Sequence, residues 1–206
     1  MYSKRAGLIL GFHGCDEKIR DRVVSEKGFL LSQSRNDYDW LGNGIYFWEN
    51  NYQRALQYAT DLMNNPIKED SKITKPSVIG AVIDLGFCMD LLDTEYLKLL
   101  KTGYDFLIKT NQTYKLNIPE NRPIEKQGDL LIRKLDCSVI ETIHQINRDI
   151  DRQEFDTVRG VFFEGGDLYP NAGFKEKNHI QIAIRNPNCI KGYFIPREIN
   201  EKYPKP

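Results

Sequence analysis

The chain has 206 residues, of which 40% are hydrophobic and 28% are charged, a composition that predicts one folded globular domain over residues 1–206. Lysine plus arginine and aspartate plus glutamate each number 29, so the chain as a whole has no net charge that would attract nucleic acid or a membrane. Because the four cysteines lack the spacing of a metal site and no apolar run reaches the roughly twenty residues of a membrane span, we expect a cytoplasmic protein with reduced thiols, no metal and no membrane partner.

The first half of the chain alternates predicted strands with predicted helices. Apolar runs of strand length occupy residues 8–13, 28–31, 44–48 and 77–85. Apolar residues at helical spacing occupy residues 16–27 and 52–63, and Asn50 or Asn51 is expected to cap the second of these helices.

The second half begins with longer helical patterns and ends in short strands. Residues 94–107, capped by Asp93, and residues 128–150 predict two helices that pack together in a helical insertion over roughly residues 91–155. Strand patterns return at residues 158–163, 180–184 and 193–195. The predicted fold class is therefore α+β, with strands at both ends of the chain and helices between them.

Two short motifs carry the chemistry. In Phe12-His13-Gly14, an imidazole and a glycine backbone stand at the end of a predicted strand, where the imidazole could donate to a ligand hydroxyl and the glycine backbone could bind a flat amide. In Gly42-Asn-Gly-Ile-Tyr46-Phe, the glycines permit an unusual turn beside an aromatic ring that could stack on a heterocycle. Each motif alone is more typical of turns and core packing, but nicotinamide presents both a ring and an amide.

Together and in this order, the motifs resemble the family of poly(ADP-ribose) polymerases and diphtheria-like toxins. In that family a His-Gly and a Gly-x-Gly-Ile-Tyr-Phe, followed by a helix rich in Ala and Tyr, build the NAD pocket. The match over residues 42–59 is specific, while the last fifty residues match loosely. The resemblance implies an ADP-ribosyltransferase-like domain with two small packed antiparallel sheets, peripheral helices and NAD as co-substrate.

The resemblance also implies roles for individual residues. His13 would hold a ribose hydroxyl, the Gly14 backbone would bind the carboxamide, and Tyr46 would stack on nicotinamide, with Gly44 shaping the same pocket. Arg35 could pair with the NAD pyrophosphate because a guanidinium suits bidentate phosphate contacts, although a plain surface arginine is an equal alternative.

The third catalytic position of the family is normally a glutamate on a late strand. Here Gln181 fits that position best, while Asn178, His179 and Glu164 remain alternatives because the strand register is open. A glutamine can orient a ribose hydroxyl but cannot act as a base. The resemblance therefore implies single ADP-ribose transfers rather than polymer.

The expected activity is mono-ADP-ribosylation of a macromolecular acceptor, protein or nucleic acid, with release of nicotinamide. The loop over residues 165–177 could meet the acceptor, and Lys175, Lys177 and Arg185 could form a basic groove. The resemblance suggests a bacterial toxin or phage-defence effector, with an antitoxin as a possible partner. The alternatives are an NAD glycohydrolase, an RNA 2′-phosphate transferase and a non-catalytic module that binds NAD or ADP-ribose.

Overall fold

The computed structural model describes residues 7–66, 73–123 and 129–204. The elements in these ranges are β1 (Ile9–Asp16), α1 (Glu17–Ser25), β2 (Ile45–Glu49), α2 (Tyr52–Asn64), β3 (Pro76–Ile83), β4 (Cys88–Asp90), α3 (Thr94–Thr113), β5 (Asn121–Arg122), β6 (Ile132–Arg133), α4 (Lys134–Asp149), β7 (Thr157–Phe162), β8 (His179–Ile184), a short 3-10 turn (Pro187–Cys189) and β9 (Ile190–Phe194). The α+β class is confirmed. No helix within these ranges has the length and apolarity to cross a membrane.

Three helices begin at side chains that cap their first turn. Asp16 accepts the backbone N–H of Lys18 at 3.0 Å at the start of α1. Asn51 caps α2 and Asp93 caps α3 in the same way. The cap predicted at Asp93 is therefore confirmed, and of the two candidates Asn50 and Asn51 it is Asn51 that satisfies a backbone donor of α2.

Helix α4 begins later than its periodicity predicts. Its N-cap residue, Arg133, makes no side-chain cap bond. Asn121 on β5 instead accepts the backbone N–H groups of Leu135 and Asp136, at 2.9 and 3.2 Å. The helix start is thus fixed by a residue outside the helix, which the local sequence pattern does not reveal.

Seven strands form one sheet in the order β4-β7-β8-β2-β1-β3-β9, and β5 pairs with β6 in a separate two-stranded sheet. The expectation of two small packed antiparallel sheets is therefore corrected. Strand β2 joins the two halves because it pairs with β1 on one edge and with β8 on the other. The sheet is also mixed, since β4 and β7 run parallel. The extended piece predicted after Gly28 forms no strand, and only Ser34 of the following segment bridges to Gly44.

The core lies on both faces of this sheet. Along β8, Ile182 and Ile184 pack into one buried cluster with Phe47, whereas Ala183 packs into another with residues of α4. This alternation is the period-two pattern of a strand covered on both faces. Helices α3 and α4 contact each other as predicted. A Cβ at Gly103 of α3 would lie 2.6 Å from Ile143, so a glycine is needed where the two helices approach.

Candidate active site

A cavity of about 380 Å³ opens where β1, β2 and β8 lie side by side. Its volume is within the range of pockets that bind small molecules and cofactors. Its lining combines polar side chains with five aromatic rings: His13, Gly14, Ser32, Ser34, Asn36, Tyr38, Asp39, Trp40, Gly44, Tyr46, Trp48, Tyr58, Leu62, Leu131 and Gln181. The structure thus brings together all of the predicted site residues except Arg35.

The cavity forms because β1 and β2 part at His13. The two strands pair at Gly11↔Glu49 and Phe12↔Trp48. At the next step, the His13 Nδ1 contacts the backbone oxygen of Tyr46 at 2.8 Å. A side chain therefore satisfies a carbonyl that a neighbouring strand would otherwise bind, and the sheet can open without leaving that acceptor unpaired.

The contact with Tyr46 fixes the tautomer of His13. A carbonyl oxygen only accepts hydrogen bonds, so Nδ1 carries the proton and Nε2 has the free lone pair of a neutral ring. Burial lowers the pKa of His13, against the opposing effect of this hydrogen bond, which keeps the ring neutral at pH 7. The expected imidazole donor is thereby corrected: toward a ligand, His13 presents an acceptor, which suits a ribose hydroxyl that donates.

Tyr46 is anchored at its hydroxyl end. Its Oη donates to the Gly42 backbone oxygen at 2.8 Å and accepts the Leu41 N–H at 3.0 Å. Burial raises the pKa of Tyr46 well above its ordinary value, so the hydroxyl stays protonated. Because both bonds hold the ring against one wall, Tyr46 offers a fixed aromatic surface rather than an acid or a base.

Gln181 faces the cavity from β8 opposite Trp48 of β2. Its Oε1 accepts the indole N–H of Trp40 at 2.6 Å. The amide is thereby oriented, because an indole N–H can only donate. The Nε2 group of Gln181 remains as a donor, which agrees with a positioning role and excludes action as a base.

The glycines of both motifs are required by packing. A Cβ on Gly14 would lie 2.1 Å from the backbone oxygen of Ala55, so only glycine allows β1 to approach α2 this closely. Gly42 has a φ of 74° and Gly44 sits against the backbone of Ile184, 3.0 Å from where a Cβ would be. These contacts give Gly14 and Gly44 a structural reason for their identity that is independent of any ligand.

Arg35 lies apart from the other predicted residues. Ser32, Ser34 and Asn36 line the cavity, whereas Gln33 and Arg35 line a separate polar pocket together with Arg185. The segment is extended, so alternate side chains point to opposite sides. The predicted contact of Arg35 with the pyrophosphate therefore has no support from its position.

Of the three alternatives for the third position, Glu164 and His179 are engaged elsewhere. Glu164 accepts a 2.6 Å hydrogen bond from the buried guanidinium of Arg54, which neutralises its charge. His179 Nδ1 contacts the Lys177 backbone oxygen at 2.6 Å, and burial lowers the pKa of this histidine. Neither Glu164, His179 nor Asn178 is among the described residues that line the cavity. Gln181 is the one member of the candidate set that the geometry places there.

The expected basic groove is also corrected. Lys175 pairs with Asp167 at 2.7 Å, Lys177 lies 3.8 Å from Glu164, and Arg185 pairs with Glu141 at 2.5 Å. Since each cation has a carboxylate beside it, the three do not form a positively charged track for a phosphate backbone.

Thiol chemistry and metal binding find no support around the cavity. All four cysteines are buried, and burial raises the pKa of Cys15, which follows Gly14, to about 11. A thiol with such a pKa is a poor nucleophile. Within the described ranges, no group of three or more His, Cys, Asp or Glu side chains is arranged to hold a metal ion.

Several cavity residues were not singled out from the sequence. Asp39 and Trp40 come from the loop before β2, Trp48 from β2, and Tyr58 from α2. Burial raises the pKa of both Asp39 and Tyr58. The helical spacing of α2 places Tyr58 near Ala55, beside Gly14, so this residue could have been found. The loop residues could not, because their direction depends on long-range contacts.

Comparison with known proteins finds a similar archaeal protein. No protein-family profile matches the chain, and no solved structure matches it. An uncharacterized protein of Methanocaldococcus jannaschii, MJ0359, is 29% identical over 197 residues, which cover 87% of this chain and 83% of the relative. The similarity therefore covers most of the chain, and the name of the relative carries no activity.

Proposed function

We propose that this protein is a mono-ADP-ribosyltransferase, with a domain of the ADP-ribosyltransferase type, that transfers ADP-ribose from NAD to a macromolecular acceptor and releases nicotinamide. The observation that carries the proposal is the convergence of His13, Tyr46 and Gln181, from three neighbouring strands, on one aromatic-walled cavity. These residues are 168 positions apart at their extremes, so their meeting was not implied by either motif alone.

The cavity has the chemistry that the nicotinamide riboside end of NAD requires. The rings of Tyr46, Trp48 and Tyr58 offer flat apolar walls. The ring centroids of Trp48 and Tyr58 lie 5.0 Å apart, so these two rings pack together. His13 offers an acceptor and Gln181 a donor to the ribose hydroxyls. The cavity lining contains no lysine or arginine among the described residues, so the pyrophosphate would extend beyond it.

The reaction needs confinement and orientation more than acid catalysis. The bond between ribose C1′ and the pyridinium nitrogen breaks, and its electron pair neutralises the ring nitrogen to give free nicotinamide. The positive charge passes to the ribose as an oxocarbenium-like state, which a nucleophile of the acceptor attacks at C1′. Holding the ring against fixed aromatic walls and the ribose by His13 and Gln181 restricts the substrate to the reactive geometry.

The amide at position 181 supports transfer of one ADP-ribose unit per site. In the family that the chain resembles, extending a polymer requires a base at this position to activate a ribose hydroxyl of the attached unit, and the donor group of Gln181 cannot accept that proton. We expect discrete bands of modified acceptor on a gel, and a ladder of long polymer would contradict this part of the proposal.

Nicotinamide release from labelled NAD tests the activity itself. Wild type, His13→Ala and the control His144→Leu are assayed with lysate fractions of protein, RNA and DNA offered separately. His144 is a suitable control because it is another buried histidine, located on α4 outside the cavity. Label retained on one fraction, lost with His13→Ala and kept with His144→Leu, supports the transferase and names its acceptor class.

The other outcomes separate the alternatives. Nicotinamide release without retained label indicates an NAD glycohydrolase. Saturable binding of NAD with no release by the wild type indicates a binding module and overturns the proposed activity.

A further inference from the structure

Asp39 stands out among the residues of the cavity because it is a carboxylate. Of the described residues that line the cavity, it is the one acid. It belongs to the loop before β2 rather than to β8, where the carboxylate of the resembling family would be sought. The adjacent Trp40 donates to Gln181 at 2.6 Å, so the loop is tied to the position that lacks the acid.

Other carboxylates near these strands are already neutralised. Glu49 pairs with Arg159 at 2.5 Å, Glu141 pairs with Arg185 at 2.5 Å, and Glu164 pairs with Arg54 at 2.6 Å. In the part of the chain that the structure describes, no lysine or arginine lies within 4.0 Å of Asp39. Its negative charge is therefore available to a cation that enters the cavity.

The carboxylate of Asp39 is also held in place. Its Oδ2 accepts the backbone N–H of Asn36 at 2.9 Å, inside a turn in which the Asp39 N–H donates to the Asn36 oxygen at 3.2 Å. The loop is closed at its base by the Ser34–Gly44 bridge and farther along by the bonds of the Tyr46 hydroxyl. A fixed charge needs no reorganisation when positive charge develops nearby.

We propose that Asp39 is the catalytic carboxylate of the cavity, acting on the ribose cation and on the attacking group. This rests on the proposed function. As the C1′–N bond of NAD breaks and its electron pair leaves with nicotinamide, the carboxylate stabilises the cationic ribose. When an O–H or N–H group of the acceptor then forms its bond to C1′, its proton passes to Asp39, and water removes that proton before the next turnover.

The test compares Asp39→Asn with the neighbouring Asp37→Asn. Asparagine keeps an oxygen that can accept the Asn36 N–H while removing the charge. Asp37 is an exposed residue of the same loop and pairs with Lys134 on the surface. We expect Asp39→Asn to lower kcat for nicotinamide release by about 10²-fold or more with NAD binding nearly unchanged, and Asp37→Asn to stay within about twofold of wild type.

A second variant separates charge from structure. Asp39→Ala removes the carboxylate and leaves space for a small free carboxylate such as formate. Added formate should therefore raise nicotinamide release by about tenfold in this variant and have no such effect on wild type. NAD binding and the thermal midpoint are measured for every variant. Rescue by formate supports the assignment in a way that a purely structural role would not.

The failures of the two proposals are distinguishable. An active wild type whose Asp39→Asn variant retains turnover within about threefold overturns the role of Asp39 and leaves the transferase intact. A folded wild type that releases no nicotinamide overturns the transferase and this assignment with it.

Discussion

Two regions of the same sheet use buried polar groups in opposite ways. Near β4 and β7, the guanidinium of Arg159 is 3% exposed, donates to Glu49 at 2.5 and 3.1 Å and reaches Asp90 at 3.0 and 3.1 Å. In the cavity, His13 and Gln181 each make one internal hydrogen bond and keep a second polar group toward the open space. The first region is closed by its own contacts, and the second is left for a ligand.

This difference distinguishes residues that stabilise the fold from residues that are available to bind a ligand. A buried charge whose hydrogen bonds are all made within the protein stabilises the fold only while its partners are present. Removing that charge leaves the partner charges buried without an ion pair. A side chain that makes one internal hydrogen bond is oriented by it, and its second donor or acceptor remains available to a ligand. This arrangement suits specific binding. The predictions that follow test whether the two regions separate in this way.

The largest expected effect is the loss of turnover in His13→Ala. We expect nicotinamide release to fall by about 10³-fold, equivalent to about 4 kcal/mol of transition-state stabilisation. The free energy of unfolding should fall by only about 1 kcal/mol, the usual net value of one hydrogen bond. Steady-state kinetics and urea denaturation measure the two quantities, and a stability loss larger than the catalytic loss would contradict the assignment of the cavity.

Arg159→Met should show the reverse pattern. Removing the guanidinium leaves Glu49 and Asp90 without their shared cation, and we expect a loss of about 3 kcal/mol in unfolding free energy. Turnover per folded molecule should stay close to wild type. The control is Arg148→Ala, which breaks an exposed pair with Glu154 and should cost less than about 1 kcal/mol.

Trp40→Phe sharpens the comparison because it alters the orientation of Gln181 without touching its side chain. Loss of the indole N–H should lower kcat by about tenfold, the equivalent of one hydrogen bond. In a double-mutant cycle with Gln181→Leu, the two effects should be strongly non-additive because they act on one contact. Additive effects would indicate that Trp40 serves only as a wall of the cavity.

The smallest expected effect concerns the acid sensitivity contributed by His144. Burial, aided by Arg185 and Arg148, lowers the pKa of this fully buried ring to about 3, so its 3.4 Å approach to Glu154 is not an ion pair at neutral pH. The unfolded chain binds this proton near its ordinary pKa, so the contribution to stability falls as pH drops below about 6.5. Between pH 7 and 5.5 the loss is about 1 kcal/mol.

His144→Leu provides the measurement for this prediction. Unfolding free energies of wild type and variant are compared at pH 7 and pH 5.5, and the wild type should lose about 1 kcal/mol more than the variant. His13 and His179 also have lowered pKa values and remain in both proteins, so their contribution cancels. An equal loss in the two proteins would show that His144 is protonated in the folded state.

Local sequence patterns predicted many of the individual helices and strands, but they did not predict how the strands pair with one another. Asp93 caps α3 as predicted, Asn51 is one of the two caps predicted for α2, and β2 lies within one residue of its predicted bounds, because capping and strand propensity are short-range effects. The continuous sheet depends on β2 pairing with β8 across more than 130 positions, which no local pattern encodes. The two packed sheets implied by the family resemblance were wrong for this chain because the β2–β8 pairing joins the strands into one sheet.

The same division applies to the site. The family resemblance, read from short motifs, pointed to His13, Tyr46 and Gln181, and these three residues line one cavity. Arg35 lines a separate pocket from its neighbours Ser34 and Asn36, and its role with the pyrophosphate stays a prediction. Asp39 was overlooked because a turn closed by Asn36, not a regular element, directs its carboxylate into the cavity.

The four buried cysteines have a practical consequence. Burial raises their pKa values to about 11 or 12, so the native protein should be nearly inert to alkylating reagents at neutral pH. A cysteine introduced on the exposed loop over residues 165–177 would then be the one reactive thiol. The wild-type chain is therefore a ready background for attaching a single fluorophore or spin label to this loop and following changes in the loop's surroundings in solution.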